Sequence, residues 1–414
     1  MKSAFILLFL IRFAVEQILS WLNLRHLKRY GALVPAGFEG VIDAEALART
    51  VSYTREQSRI GLIQSIYDSI LLLAFLFTPL FPLYDAWIDT FTDSFILRGV
   101  IFMLILTLVQ GVLDIPFSLY QTFRVERRYG FNTMTIGLWL SDLVKSTLIS
   151  AVLLCAVGSG ALWLVRTSPQ HWWLWVWLFF FLVSITLLYV SPYLIEPLFS
   201  KFEPVQDPEL EGEIRTMMEK AGLKIKSVQQ MDASRRTLHS NAYFTGIGRV
   251  KRIVLFDTLL KQMDPREILA ILAHEVGHWK KGHIRNRIIL TEAGALVVCF
   301  LAHRLLAWGG IPALFELPTV SFPAQLLLLS FIGSLVSFPL TPLSSWLSRR
   351  HEWQADRFAT DLSGMPDALA TALKKLTREN LSNLHPHPVY ALFYYSHPPV
   401  VQRVARLEAQ PSKP

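Results

Sequence analysis

The residues best equipped for chemistry in this chain are His274, Glu275 and His278, which stand in the order H-E-x-x-H. Two imidazoles four positions apart project from one face of a helix and can share one zinc ion. Glu275, one position on from His274, then stands beside the water on the metal and not on the metal itself, the place of a general base in metal-assisted hydrolysis. The helix is announced upstream. Asp264-Pro-Arg-Glu267 supplies an N-cap carboxylate, a proline at the first helical position and a glutamate three residues after the cap.

Catalytic zinc takes three protein ligands and keeps a fourth position for water. A third histidine in the H-E-x-x-H-x-x-G-x-x-H scheme needs glycine at 281 and histidine at 284, where the chain has Lys281 and Ile284. His283 is expected to continue the same helix, about 140° around it from His278, and so to stay off the metal. The other scheme recruits a glutamate from a later helix. The stretch Arg349-Arg-His-Glu352-Trp-Gln-Ala-Asp356 fits it. It starts where the last apolar run ends, so a hairpin of the final two runs returns it beside the first helix. Glu352 is the expected third ligand. Asp356, one turn further on, is placed to accept the second ring N–H of a ligand histidine.

The elements that must position these residues lie in lipid. Of 414 residues 52% are hydrophobic and only 17% charged, against about 25% charged in soluble domains. Apolar runs long enough to cross a bilayer occur at 4–22, 62–84, 96–119, 137–165, 172–197, 288–307 and 323–346. The first carries Arg12 and Glu16 and has no small-residue cleavage site, so it reads as a span and not a signal peptide. Basic residues alternate between the loops. They crowd at Arg25, Lys28 and Arg29, at Arg124, Arg127 and Arg128, and at Arg349 and Arg350, while the loop 84–93 has none. The positive-inside rule then puts the N-terminus outside and the C-terminus in the cytoplasm. The formal charge of +8 therefore belongs to membrane topology and anionic headgroups, and a soluble nucleic-acid-binding role is excluded. Cys155 and Cys299 both fall in apolar runs and read as buried side chains.

Charges within the spans include Arg12, Glu16, Asp114, Asp142, Lys145 and Glu292. Facing lipid they would cost about 2.5–3.5 kcal/mol or more each at mid-bilayer, so they are expected to face protein or water. Two arrangements meet that demand: a water-filled space, or local pairs such as Asp142 with Lys145 that lock helices together. Four units follow. Residues 1–197 carry five spans, 198–287 a cytoplasmic segment with H-E-x-x-H, 288–347 the last two spans, and 348–414 an amphipathic helical return with the third ligand. Within 198–287, Ile225–Met231, Arg252–Phe256 and Asn241–Phe244 have strand-like composition, with a turn at Thr245–Gly248.

Several of these stretches also carry a family resemblance. His274–His278, Glu352–Asp356, Ser240–Phe244, Lys251–Leu260 and Tyr395-Ser-His-Pro-Pro399 together resemble the type I CAAX prenyl proteases. Those are integral-membrane zinc metallopeptidases that process prenylated peptides in eukaryotes and have many bacterial relatives. Gly130-Phe-Asn132 and Ile195-Glu-Pro-Leu-Phe199 fit the same pattern, so the likeness runs nearly end to end. It implies a mainly α, polytopic membrane protein: seven transmembrane helices enclosing a chamber, with a small α+β gluzincin-type zinc metallopeptidase domain inserted at its cytoplasmic side. By the same likeness His397 steadies the oxyanion, Arg403 supports that site, and Asn241 and Ala242 lie on a strand that pairs with the substrate backbone. Without it, a histidine in a Ser-His-Pro-Pro turn reads as structural.

The expected function is hydrolysis of peptide bonds near the C-terminus of prenylated or hydrophobic peptides. Expected partners are one zinc ion per chain, a peptide or protein substrate and membrane lipid; the sequence leaves the oligomeric state open and is compatible with a monomer. The compact loops lean towards a bacterial inner membrane over the endoplasmic reticulum. A broad protease clearing damaged membrane proteins shares the chemistry and differs in substrate. A transporter or receptor with a structural zinc would not need Glu275 beside an open metal position.

Overall fold

A computed structural model describes residues 1–245 and 250–410. In chain order it contains α1 (Lys2–Tyr30), α2 (Ala44–Phe77), α3 (Leu80–Asp89), α4 (Phe95–Tyr120), α5 (Ile136–Thr167) and α6 (Trp172–Leu194). There follow β1 (Phe202–Pro204), α7 (Pro208–Lys220), β2 (Lys224–Met231), β3 (Ala242–Thr245), β4 (Val250–Phe256), α8 (Asp257–Gln262) and α9 (Pro265–Lys280). The rest is α10 (His283–Trp308), α11 (Ile311–Leu314), α12 (Phe322–Ser337), α13 (Thr341–Ser363), α14 (Pro366–Glu379), α15 (Pro388–Tyr394) and α16 (Val400–Glu408).

Among the described residues seven helices are long and apolar enough to cross a membrane, and at most 17% of any spanning window is buried within the protein. Most of each span therefore faces outward or borders interior space. The second span ends earlier than its apolar run. Thr78 is extended (φ −115°, ψ 178°) because Pro79 bars the residue before it from helical backbone, and Pro79 itself has no N–H to continue the ladder. The chain restarts as α3, so most of the expected loop 84–93 is helix. Asp85 of that helix is buried, where its carboxylate accepts the Ser321 N–H (2.8 Å) and the Ser321 hydroxyl.

At the other end of the chain, α12 and α13 run into one another through a 3-10 turn at Phe338–Leu340. The result is one span-length rod, Phe322–Ser363, of 42 residues. The expected boundary at 347/348 thus falls inside a helix, and the turns that bear Glu352 extend the seventh span as a lever. The span charges singled out above find protein partners, whereas Asp68 of the second span has a buried carboxylate oxygen with none among the described residues. Arg12 bonds Glu16 (3.0 Å), Asp114 accepts from Gln110 (3.0 Å) and Glu292 accepts from Ser184 (3.4 Å). Asp142 pairs with Arg236 (2.8 Å) and not with Lys145, which instead donates to the Leu198 carbonyl (2.9 Å). Long-range partners of this kind cannot be read from spacing.

The sheet has the order β1-β2-β4-β3, with β2 and β4 parallel and both edge strands antiparallel. β1 is only three residues long, too short for a period to show. The strand expected at Asn241–Phe244 begins one residue later; Asn241 lies just before β3, and its carbonyl accepts from Phe256 N–H (3.0 Å). The expected turn at Thr245–Gly248 lies outside the described residues beyond Thr245. β3 pairs only with β4 among the described strands, so its other edge is unpaired by any of them, although the Ala242 N–H there donates to Asn241 Oδ1 (2.8 Å).

The entry to β3 is tied to the membrane helices. Glu126, in a π-turn that continues α4, accepts from Tyr53 (2.8 Å), Gln57 (3.1 Å) and Gln121 (2.9 Å) and meets His239 (3.3 Å). His239 reaches Asn380 at the end of α14 (2.7 Å) and stacks on Phe131.

α9 is the spine of the peptidase part. A capping box starts it: Asp264 accepts from Glu267 N–H and Glu267 from Asp264 N–H, each at 3.0 Å, worth about 1 kcal/mol in helix stability. Ile268, Ala270, Leu272, Ala273 and Val276 are buried against the sheet, α7 and α14. Its other side meets α13 at Gly277. A Cβ there would stand 2.9 Å from Ala355 Cα and 3.0 Å from Ala355 O, so only hydrogen fits. We expect Gly277→Val to lower stability by about 1–3 kcal/mol through this overpacking and to lower bound metal. Gly294→Ala, with open space at its Cβ, should leave metal content unchanged. Thermal shift in detergent with elemental analysis reads both, and a Gly277→Val protein with normal metal content would contradict the account.

Candidate metal centre

The contact at Gly277 sets α13 against α9 so that Glu352 faces His274 and His278. Glu352 Oε2 lies 3.3 Å from His274 Nε2, Glu352 Oε1 lies 3.3 Å from His278 Nε2, and the two Nε2 atoms are 3.2 Å apart. Among the described residues these three form the one group of His, Cys, Asp and Glu side chains arranged to hold a metal ion. The edges of a tetrahedral shell of ligands at ~2.0–2.1 Å are roughly 3.3–3.4 Å long, so the donors are spaced as zinc ligands are. Glu352 Oε2 is also buried without a hydrogen-bond donor. A buried carboxylate oxygen left so is costly unless a cation meets it. The residues fit a divalent metal.

The outer nitrogen of each imidazole is engaged elsewhere. His274 Nδ1 is 2.8 Å from Asp356 Oδ1, and Asp356 takes a bidentate pair from Arg403 (2.9 and 2.6 Å). Arg403 is buried, and its Nη1 lies 3.6 Å from Glu352 Oε2. Carboxylates on both sides of His274 show how strongly the position favours positive charge. Burial alone would lower its pKa, yet the bonds to Asp356 and Glu352 outweigh it and push the imidazole up to about 9. A cation seated among the three ligands meets the same demand without the proton.

His278 has a different partner, which reading the sequence as one helix missed. Gly282 adopts a left-handed backbone (φ +69°), so α9 stops at Lys280 and His283 opens a new helix. The turn swings His283 back, and its Nδ1 comes to 3.1 Å from His278 Nδ1 while its Nε2 meets Gln354 Oε1 at 2.8 Å. The expected 140° offset does not apply, although His283 does stay outside the metal group. A glycine after Trp279-Lys-Lys281 was the signal available for this break.

Glu275 is half-buried beside the ligands and makes no hydrogen bond among the described residues. Burial pushes its carboxyl up, against the pull of His274 and His278. His397 is exposed at the lip, with Nε2 3.4 Å from Glu352 Oε1 and Nδ1 2.9 Å from the Ser396 hydroxyl. Its loop is held by α13. Arg349 donates to the carbonyls of Tyr395 (2.7 Å) and Ala391 (3.1 Å), and Ser345 donates to that of Phe393 (2.8 Å). The sequence marked Arg349 only as a topology charge, and Ser345 carried no signal. Asn241 and Ala242 stand apart from this cluster, at the start of the free-edged strand, and Ala242 packs into the same core as α9. The set is thus a three-donor metal position with an adjacent carboxylate and an imidazole at the rim.

Comparison with known proteins agrees with this arrangement. Residues 23–201 match the family model for the CAAX prenyl protease N-terminal region of five membrane helices, and residues 204–410 match that of Peptidase family M48. The chain is similar to CAAX prenyl protease 1 of Saccharomyces cerevisiae, at 32% identity over 96% of this chain and 93% of that protein. It is similar to the CAAX prenyl protease 1 homolog of Homo sapiens, at 30% identity over 91% and 88%. The crystal structure of S. mikatae Ste24p superposes with a TM-score of 0.91 at 28% identity, covering 98% of this chain and 99% of that one. Free-edged sheet, paired helices and membrane rods thus meet in one description: the chain belongs to Peptidase family M48 as an integral, multi-pass membrane metallopeptidase with the CAAX prenyl protease N-terminal region.

Proposed function

We propose that this metallopeptidase uses zinc, bound by His274, His278 and Glu352, to cleave prenylated or hydrophobic peptides near their C-terminus. The observation that carries the zinc reading is the set of donor separations of 3.2–3.3 Å around the Glu352 carboxylate, whose buried Oε2 receives no hydrogen bond among the described residues. The substrate reading rests on similarity over nearly the whole chain to proteins named CAAX prenyl proteases. Nothing on the molecule favours the broader clearance of damaged membrane proteins.

When bound, zinc polarises the scissile carbonyl and brings the pKa of water towards about 7. Glu275 takes the proton of the attacking water and passes it to the leaving amine. Its half-buried position, free of competing donors, suits a carboxylate that must hold a proton between two steps. His397 donates to the developing oxyanion from the rim, a contact worth about 2.7–4 kcal/mol in the transition state. Arg403 holds Asp356, and Asp356 holds His274 in the tautomer that leaves Nε2 free for the metal. The edge of β3 that no described strand pairs, entered through Asn241 and Ala242, takes the substrate as an added strand. The low burial of all seven spans supports an interior chamber from which an apolar peptide reaches that edge. The alternation of basic loops supports a cytoplasmic C-terminus and metal site, and the compact loops favour a bacterial inner membrane over the endoplasmic reticulum.

Glu275→Gln should keep one zinc per chain and lose about 10²–10⁴-fold in turnover; wild-type cleavage by that variant would remove Glu275 from the role of base. Glu352→Ala should lower zinc content itself, read by elemental analysis after dialysis. A prenylated peptide assayed beside its unprenylated twin tests the substrate. Selective, chelator-sensitive cleavage of the first is expected, and equal cleavage of both would overturn the prenyl preference.

A further inference from the structure

We infer that His283 is a positioning residue for the metal site: a neutral imidazole whose Nδ1 lone pair accepts the Nδ1–H of His278 and so aims His278 Nε2 at the metal. The inference rests on the zinc reading above. It deepens that reading by assigning a role to a residue outside the ligand set.

The geometry fixes the protons one after another. His278 Nε2 stands 3.3 Å from Glu352 Oε1 and 3.2 Å from His274 Nε2. To serve as a ligand it must keep its lone pair, so the proton of a neutral His278 sits on Nδ1. That nitrogen is 3.1 Å from His283 Nδ1. Two nitrogens at this distance form a hydrogen bond only if one donates and the other accepts, so His283 Nδ1 accepts. The His283 proton is then on Nε2, which lies 2.8 Å from Gln354 Oε1, an acceptor. With the amide oxygen facing the ring the whole chain runs outward from the metal. Reversed, it would place a proton on His278 Nε2 and close the site to zinc.

The surroundings hold His283 in this role. It is buried, and the ring of His351 stacks on it with centroids 4.1 Å apart and planes 10° from parallel. The left-handed turn at Gly282 brings it under α9 although it follows His278 by only five positions. Both outer partners, Gln354 and His351, ride on the same helix as Glu352, so one rod carries a ligand and the group that orients another.

The two ligand histidines are therefore backed differently. His274 leans on a carboxylate that is itself neutralised by Arg403, whereas His278 leans on an uncharged ring. A second carboxylate in place of His283 would add negative charge to the ligand set and weaken the metal as an electrophile. The neutral relay orients His278 without that penalty.

The test is zinc affinity of the purified full chain, measured by competition with a chromophoric chelator. His283→Phe keeps ring volume and stacking but offers no lone pair, and should bind zinc about 10–100-fold more weakly. His283→Asn places an amide oxygen close to the position of Nδ1 and should recover most of that loss. Gln354→Leu, which frees the His283 tautomer while leaving both rings, should lose several-fold. Affinity of His283→Phe equal to wild type would overturn the inference. So would His283→Asn binding as weakly as His283→Phe, because packing alone would then explain the residue. If His283→Phe does not survive purification as a monodisperse species, Gln354→Leu decides, and unchanged affinity there overturns the relay. A wild-type chain that binds no zinc would instead sink the zinc reading itself.

Discussion

The approach of α9 and α13 at Gly277 and Ala355 governs the rest of this molecule. Backbone meets side chain and backbone there with no room for a methyl group on the glycine. His274 stands three positions before Gly277 and His278 one after it, and Glu352 and Asp356 flank Ala355 in the same way on the other helix. The spacing between the helices sets the spacing between the ligands, and a shift of a fraction of an ångström at Gly277 would be passed directly to the metal position. The burial of α9 on its remaining sides, against sheet, α7 and α14, keeps that contact from relaxing.

Electrostatics then assigns each group its work. Glu275, Glu352 and Asp356 converge on a small volume with one buried guanidinium among them, a balance that calls for further positive charge. Arg403 pairs with Asp356 and lies 3.6 Å from Glu352 Oε2, and a cation held by His274, His278 and Glu352 would complete the balance. Glu275 is left as the carboxylate without a fixed partner among the described residues, which is the condition for accepting and releasing a proton. The relay through His283 and Gln354 adds direction without adding charge.

Much of this was legible in the residues. The H-E-x-x-H helix with its Asp264–Glu267 box, the apolar runs and the return of Glu352 through the last hairpin all follow from period, capping and span length. The hidden parts have physical reasons. Gly282 ends α9 by its left-handed backbone, and without that break His283 looked unable to reach His278. Pro79 cuts the second span short although the apolar run continues past it. Asp142 joins Arg236 across 94 positions, and Arg349 holds the His397 loop across 46. Contacts of that reach are products of the fold, and only local pairs such as Arg12 with Glu16 announce themselves by spacing. The π-turn at Gln121–Glu126 is likewise invisible in composition, yet it aims the carboxylate that ties the membrane helices to the entry of β3.

The most direct test of the central claim is X-ray absorption at the zinc edge on the purified chain. The account predicts one zinc per chain in a four-coordinate nitrogen and oxygen shell at ~2.0–2.1 Å, with the outer-shell scattering of two imidazoles. A shell containing sulfur, a six-coordinate oxygen shell, or the scattering of only one imidazole would contradict it.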